Sequence, residues 1–274
     1  MISILILTRN EETSLPDCLA SVAWSNDVVV LDSCSTDCTR AVAEAASARV
    51  EQHAFQDYAD QRNVGLRLGF KNDWVLMLDA DERVPPVLRD EILTVTAQPD
   101  HQYSLYRVRR KDMFLGRWLR YSSGYPTWFG RMVRPERVQF ERAINEKAVA
   151  TGKIGYLREH IWHYPFNKGM DRWYERHNQY STMEAELTQK ELMTRRIWGK
   201  LFSRDPFLRR WSQKRFLYSL PMRPPIVFWY LYLARLGFLD GHAGYVFCRL
   251  RYQYEWMITL KVKENRRRNL QLPM

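Results

Sequence analysis

The chain has 274 residues, 46% hydrophobic and 27% charged, enough to bury a sizeable core in one large domain with an appendage or in two small ones; this excludes a disordered or fibrous chain. The formal charge of +11 is uneven: residues 191–274 hold 17 Lys and Arg against 5 Asp and Glu, and the first 190 residues hold 25 against 26. Four cysteines without a CxxC pair exclude a dense disulfide framework and a zinc ribbon, so Cys18, Cys34, Cys38 and Cys248 are expected as free thiols.

Residues 2–8 (ISILILT) and 27–32 (DVVVLD) are short β-branched runs that end in polar residues, the texture of central parallel strands. The apolar start is short and lacks a basic leader, so it reads as a buried first strand of a cytoplasmic chain. Leu15, Leu19 and Val22 have helical spacing, and residues 38–48 (CTRAVAEAASA) are helical by propensity. Residues 49–55 predict a third strand, 57–70 a helix and 73–79 (DWVLMLD) a fourth strand. This alternation predicts an α/β fold, an open parallel sheet with helices on both faces. Ligands of such sheets bind outside the carboxyl ends of the strands, so TRNEE, DSCSTD and DADER gather on one rim.

Beyond Pro85 and Pro86 a helix is predicted over 87–98, one or two antiparallel strands over 102–119, and turns with short strands over 123–149. From about Lys168 the chain reads as helical to its end. The expected division is a domain at 1–167, in two parts at 1–98 and 99–167, followed by a helical extension at 168–274.

The stretch WVLMLDADER places Asp79, Asp81 and Glu82 at the end of an apolar strand, where unpaired burial would cost several kcal/mol. Asp79 and Asp81, separated by Ala80, can face one hard cation, magnesium or manganese, that takes its other ligands from water and a substrate diphosphate. They can equally cap the next turn.

In order along the chain, ILTRNEE, VVVLDSCSTDCT, DQRNVGL and LMLDADE resemble the ordered motifs of the family 2 glycosyltransferases, inverting enzymes with a Rossmann-like GT-A fold that use nucleotide sugars. The resemblance implies that Thr8, Asn10, Glu11 and Asp32 lie near the nucleoside. Arg62 and Asn63 would supply donors to the diphosphate or ribose, Asp79 would face ribose and metal, and Asp81 metal and diphosphate. Glu82 would support the turn. Inversion needs a second carboxylate to take the acceptor proton. Glu146 is the candidate, with Glu141 as the fallback; Asn145 stands where the subgroup often has His. Trp128, Arg131 and Arg134 fit a wall of the acceptor site, and His160 and His163, three apart, can bring one imidazole to the metal or diphosphate.

The C-terminal third holds an apolar run, Pro224 to Ala234, of 11 residues. A membrane span needs about 20. Beside Arg204, Arg209, Arg210, Lys214 and Arg215 such a run predicts helices lying on an anionic membrane surface, which makes the chain peripheral to the inner face of the cytoplasmic membrane. No nucleic-acid-binding motif occurs, so nucleic acid is not an expected partner. The C-terminal texture is similar to that of bacterial lipopolysaccharide core glucosyltransferases, which implies a glycolipid acceptor and a UDP-hexose donor. A different lipid-linked glycan, a polyprenyl phosphate or a non-catalytic binding role is the alternative.

Overall fold

The computed structural model describes residues 1–98, 102–141, 147–192 and 222–273. Two compact units form, one from Met1–Trp118 with Gly124–Lys168, the other from Leu119–Ser123 with Gly169–Met274.

The first unit runs β1 (Ser3–Thr8), α1 (Leu15–Val22), β2 (Val28–Asp32), α2 (Thr39–Ala45), β3 (Arg49–Gln52), α3 (Tyr58–Leu66), β4 (Val75–Asp79), β5 (Glu82–Arg83) and α4 (Pro86–Thr96). It continues with β6 (Tyr103–Phe114), β7 (Arg117–Trp118), β8 (Trp128–Val133), β9 (Val138–Glu141), β10 (Lys147–Ala150) and β11 (Lys153–His163). The main sheet has the order β3-β2-β1-β4-β8-β6-β11-β5, with β7 on β6, and β9 and β10 form a separate hairpin.

The expected parallel sheet occupies half of this path. Strands β3, β2, β1 and β4 are parallel, whereas β8 runs antiparallel to both β4 and β6. Strand β11 was not expected. It runs parallel to β6, and a register shift between Tyr156 and His160 breaks the apolar alternation that would have marked it.

Helices cover both faces of the parallel half, as expected. Ile4 and Ile6 point to one face, into a core with Leu15 and Leu19 of α1 and Leu88 and Ile92 of α4. Leu5 points to the other, with Leu31, Met77, Ala59 and Leu66 of α3, and Phe140 of β9. Helix α3 comes so close that a Cβ at Gly65 would meet Leu5 Cδ2 at 2.6 Å, which only glycine avoids. Strand order reverses beside β1, which pairs with β2 on one side and β4 on the other. The crevice at that reversal opens between the ends of β1 and β4, where Thr8 and Asp79 close their strands.

The second unit contains α5 (Gly169–Leu192), α6 (Arg223–Trp229), a π-helical turn at Tyr230–Ala234, a 3-10 turn at Gly237–Asp240 and α7 (Gly241–Asn269). Lys261 Nζ of α7 donates to the Asn178 carbonyl of α5 at 2.6 Å. Buried Glu255 of α7 pairs with Arg223 of α6. The Asp240 carboxylate accepts the backbone N–H groups of Arg120, Tyr121 and Ser122 at 3.0, 3.0 and 2.9 Å. Among the described residues no helix is long and apolar enough to cross a membrane. The four cysteines are free thiols, Cys18 and Cys248 buried and Cys34 and Cys38 exposed. Glu146 and Asn145, and also Arg204, Arg209, Arg210, Lys214 and Arg215, lie outside the described residues.

Candidate active site

Asp79 at the end of β4, and Asp81 and Glu82 just past it, each meet a basic side chain. Arg131 of β8, itself buried, donates from Nη2 to Asp79 Oδ2 at 2.5 Å and to Glu82 Oε1 at 2.7 Å. Arg62 of α3 donates to Asp79 Oδ1 at 3.2 Å. Glu82 is fully buried; its second oxygen accepts the Asp79 N–H at 3.1 Å and closes the turn, the supporting role expected of it. Burial raises the Asp79 carboxyl, but the Arg131 and then the Arg62 guanidinium outweigh it and hold the group far below the usual carboxylate range. For Glu82 burial prevails over Arg131 and pushes the carboxyl up.

Asp81 meets an imidazole instead. His163 Nε2, at the end of β11, lies 3.3 Å from Asp81 Oδ2, and His163 Nδ1 lies 2.7 Å from Asp112 Oδ1. Burial alone would lower this histidine, yet Asp81 and Asp112 lift it to about 9. Arg110 Nε completes the chain on Asp112 at 3.1 Å.

The loops after β1 and β2 brace each other. Thr8 Oγ1 donates to Asp32 Oδ1 at 3.1 Å, and fully buried Asp32 also accepts the Ser35 N–H at 2.9 Å and the Ser35 hydroxyl. Asn10 has a positive φ of 54°; its N–H donates to Ser35 Oγ and its Oδ1 accepts the Thr36 N–H, both at 2.8 Å. The Glu11 N–H donates to Thr39 Oγ1 at 2.7 Å, and its Oε1 pairs with Lys168 Nζ at 2.5 Å. Burial raises the Glu11 carboxyl against the pull of Lys168, and Oε2 is buried without a hydrogen-bond partner.

Several expected roles change. Asn63 and Phe140 exchange two hydrogen bonds of 2.8 Å, side-chain amide to backbone, which ties α3 to β9 and turns that side chain away from ligand donation. Arg131 is the buried counter-ion of Asp79 and Glu82 rather than a wall of the acceptor site, because two carboxylates at the strand end require it. Arg134 lies over Trp74, 4.8 Å from the ring centre. Trp128 stays 36% exposed. His163 faces Asp81, whereas His160 Nε2 pairs with the Tyr125 hydroxyl at 2.9 Å. Glu141 ends β9 exposed, opposite Lys147.

Among the described residues no group of three or more His, Cys, Asp and Glu can hold a metal. The arrangement would meet a cation in a more open way: Asp81 offers one oxygen, His163 one nitrogen once the metal displaces its Nε2 proton, and Asp112 orients the imidazole. Asp79 is already neutralised by two arginines. Arg110, Asp112 and Lys168 escape a motif search. The signal for the first two is the alternation in RVRRKD, which sends Arg110 and Asp112 to the same face; Lys168 has none.

Residues 3–165 match the model of glycosyl transferase family 2. An uncharacterised glycosyltransferase of Rickettsia conorii is 28% identical over 230 residues, 77% of this chain and 80% of its own. The lipopolysaccharide core biosynthesis glycosyltransferase LpsC of Rhizobium meliloti is 24% identical over 268 residues, 95% of this chain and 91% of its own. Among solved structures, S. aureus TarS 1–349 aligns over 97% of this chain and 91% of that one with a TM-score of 0.42 at 15% identity. Glucosyl-3-phosphoglycerate synthase of Mycobacterium tuberculosis, in complex with Mn2+ and UDP, aligns over 41% and 44% with a TM-score of 0.35 at 22% identity. The family match covers more than half of the chain, including the crevice between β1 and β4 and the carboxylates at its mouth, so this protein belongs to glycosyl transferase family 2.

Proposed function

We propose that this glycosyltransferase moves a hexose, glucose in the first instance, from a UDP sugar to a lipid-linked glycan of the lipopolysaccharide inner-core kind, with inversion at the anomeric carbon. The observation that carries the reading is Asp81 facing His163 at the strand-end crevice, beside an Asp79 held in place by arginines. The name and the 95% coverage of the LpsC relative support the acceptor class.

Asp81 and His163 would hold magnesium or manganese, and Asp112 keeps the imidazole turned so that Nε2 is the ligating atom. When bound, such a cation offsets the negative charge that develops on the leaving diphosphate. Asp79, oriented by Arg131 and Arg62 and with a side chain 37% exposed, accepts a ribose hydroxyl. The braced loops that carry Thr8, Asn10, Glu11 and Asp32 line the nucleoside. In the single displacement, the acceptor oxygen bonds to the anomeric carbon as the bond to the diphosphate oxygen breaks, and Glu146 takes the acceptor proton.

A lipid-linked acceptor puts the enzyme on the inner face of the cytoplasmic membrane. Residues 191–274 carry 17 basic against 5 acidic side chains, and Trp229, Tyr230 and Leu233 of the second unit are about half exposed, 54%, 54% and 51%, which suits an anionic lipid surface. Sedimentation with phosphatidylglycerol vesicles but not with phosphatidylcholine vesicles is expected at low salt; absence of both would sink this part.

The donor site is tested by isothermal titration with UDP, with and without manganese, on wild type, Asp81→Asn and His163→Ala. Manganese-dependent binding lost in both variants is the expected result. UDP binding that ignores manganese and both substitutions would overturn the assignment.

A further inference from the structure

Strand β6 carries Arg107, Arg109 and Lys111 at alternate positions, so they share the face opposite Arg110. Each lies over an aromatic ring: Arg107 over Tyr156 at 5.9 Å, Arg109 over Trp128 at 5.1 Å and Lys111 over Trp118 at 4.6 Å. The rings continue one another. Trp128 meets Tyr156 edge-on at 5.1 Å, and Trp118 meets Tyr125 edge-on at 5.0 Å.

Among the described residues no ion pair uses Arg107, Arg109 or Lys111, in contrast to Arg110, Arg131 and Arg62. The carboxylates that come nearest are otherwise engaged: Glu91 accepts the backbone N–H groups of Arg158 and Glu159 at 2.7 and 2.9 Å, and Glu159 lies 3.8 Å from His160 Nδ1. Burial, then Arg109 and Lys111, hold His160 down at about 4 against the smaller opposing pull of Glu91. Arg109 Nε is buried without a hydrogen-bond partner. Tyr156 and Trp128 nevertheless stay 55% and 36% exposed.

Cations stacked on open aromatic rings suit one kind of occupant, a sugar that carries anionic groups. Ring faces take the apolar side of a pyranose, and guanidinium and ammonium groups take phosphate. The face also lies beside the hairpin: Gly130, paired with Arg107, packs so closely that a Cβ there would lie 3.0 Å from Leu105 and 3.3 Å from Ala148 of β10. We infer that Arg107, Arg109 and Lys111, with Trp128 and Tyr156, form the acceptor subsite and select a phosphorylated glycan. This rests on the transferase reading given above.

The test is isothermal titration with a deacylated, phosphorylated lipopolysaccharide core oligosaccharide and with the same oligosaccharide after its phosphates are removed with hydrogen fluoride. Wild type should prefer the phosphorylated form by about tenfold or more, the scale of one or two charge-assisted hydrogen bonds. Arg107→Ser with Lys111→Ser should lose the preference while melting and UDP affinity stay at wild-type values. Arg109→Lys, which keeps the charge and loses the fork, should weaken it in part. Equal wild-type affinity for both forms, or a preference that survives the double substitution, overturns the subsite. Loss of phosphatidylglycerol-vesicle binding in the double variant with no phosphate preference in wild type would make this face a lipid contact, and also overturns it. UDP affinity, read in parallel, reports the donor site alone, so its absence in wild type counts against the transferase reading, and an oligosaccharide failure with UDP binding intact counts only against the subsite.

Discussion

The two faces of strand β6 carry the same residue types and have opposite charge economies. On one, Arg110 meets Glu82 and Asp112, and Asp112 meets His163. On the other, Arg107, Arg109 and Lys111 meet rings, a hydroxyl and a carbonyl, and among the described residues no carboxylate pairs with them. An arginine closed by carboxylates holds the fold and poises a ligand group, and one left without them is free to recognise an anion. His160 and His163, three apart on β11, register the contrast: about 4 on the cationic side and about 9 on the carboxylate side.

The strongest way to break this contrast is Arg131→Met. It leaves Asp79 and Glu82 without their main counter-ion, which for a buried pair costs about 3–5 kcal/mol. Urea unfolding measures it, and a loss below about 1 kcal/mol would mean that water already screens those carboxylates. Next comes Asn63→Ala, which removes both bonds to Phe140 and should cost about 1–2 kcal/mol, with faster hydrogen exchange at the Phe140 amide; unchanged exchange there would deny the bracing role.

The histidines sharpen the comparison through pH. His160 sits below its ordinary 6.5, so it destabilises the fold as pH falls from about 6.5 towards 4 and is silent above that window. His163 sits above 6.5, so its stabilisation is complete below about 6.5 and is lost as pH rises through about 9. NMR titration of the two imidazoles should give opposite shifts; shifts of the same sign would refute the two-faced description. The smallest effect belongs to Arg107→Ser with Lys111→Ser, which should change stability by no more than about 0.5 kcal/mol and make melting less dependent on salt.

The parallel half of the sheet was legible because its strands are apolar runs closed by polar residues, as in ISILILT and VLMLD. Strand β11 was not, since KIGYLREHIWH mixes charges into a strand whose pairing shifts midway. Motif order located Asp79 and Asp81, yet the partners of each come from afar: Arg131 lies 52 residues beyond Asp79, and His163 closes on Asp81 only once β11 has joined the sheet. Local spacing cannot report such pairings. Asn63 looks like a ligand donor in a motif and is a brace in the fold, because its short side-chain amide pairs with the backbone of Phe140.

Asp240 sets a timetable for synthesis. The loop whose N–H groups it binds is made early, and its carboxylate follows as many as 120 residues later. At the 5–20 residues per second of a translating ribosome that is roughly 6–24 s during which three amides wait for their acceptor. The segment 119–123 therefore emerges between parts of the first unit and yet cannot finish its own until Asp240 has been made.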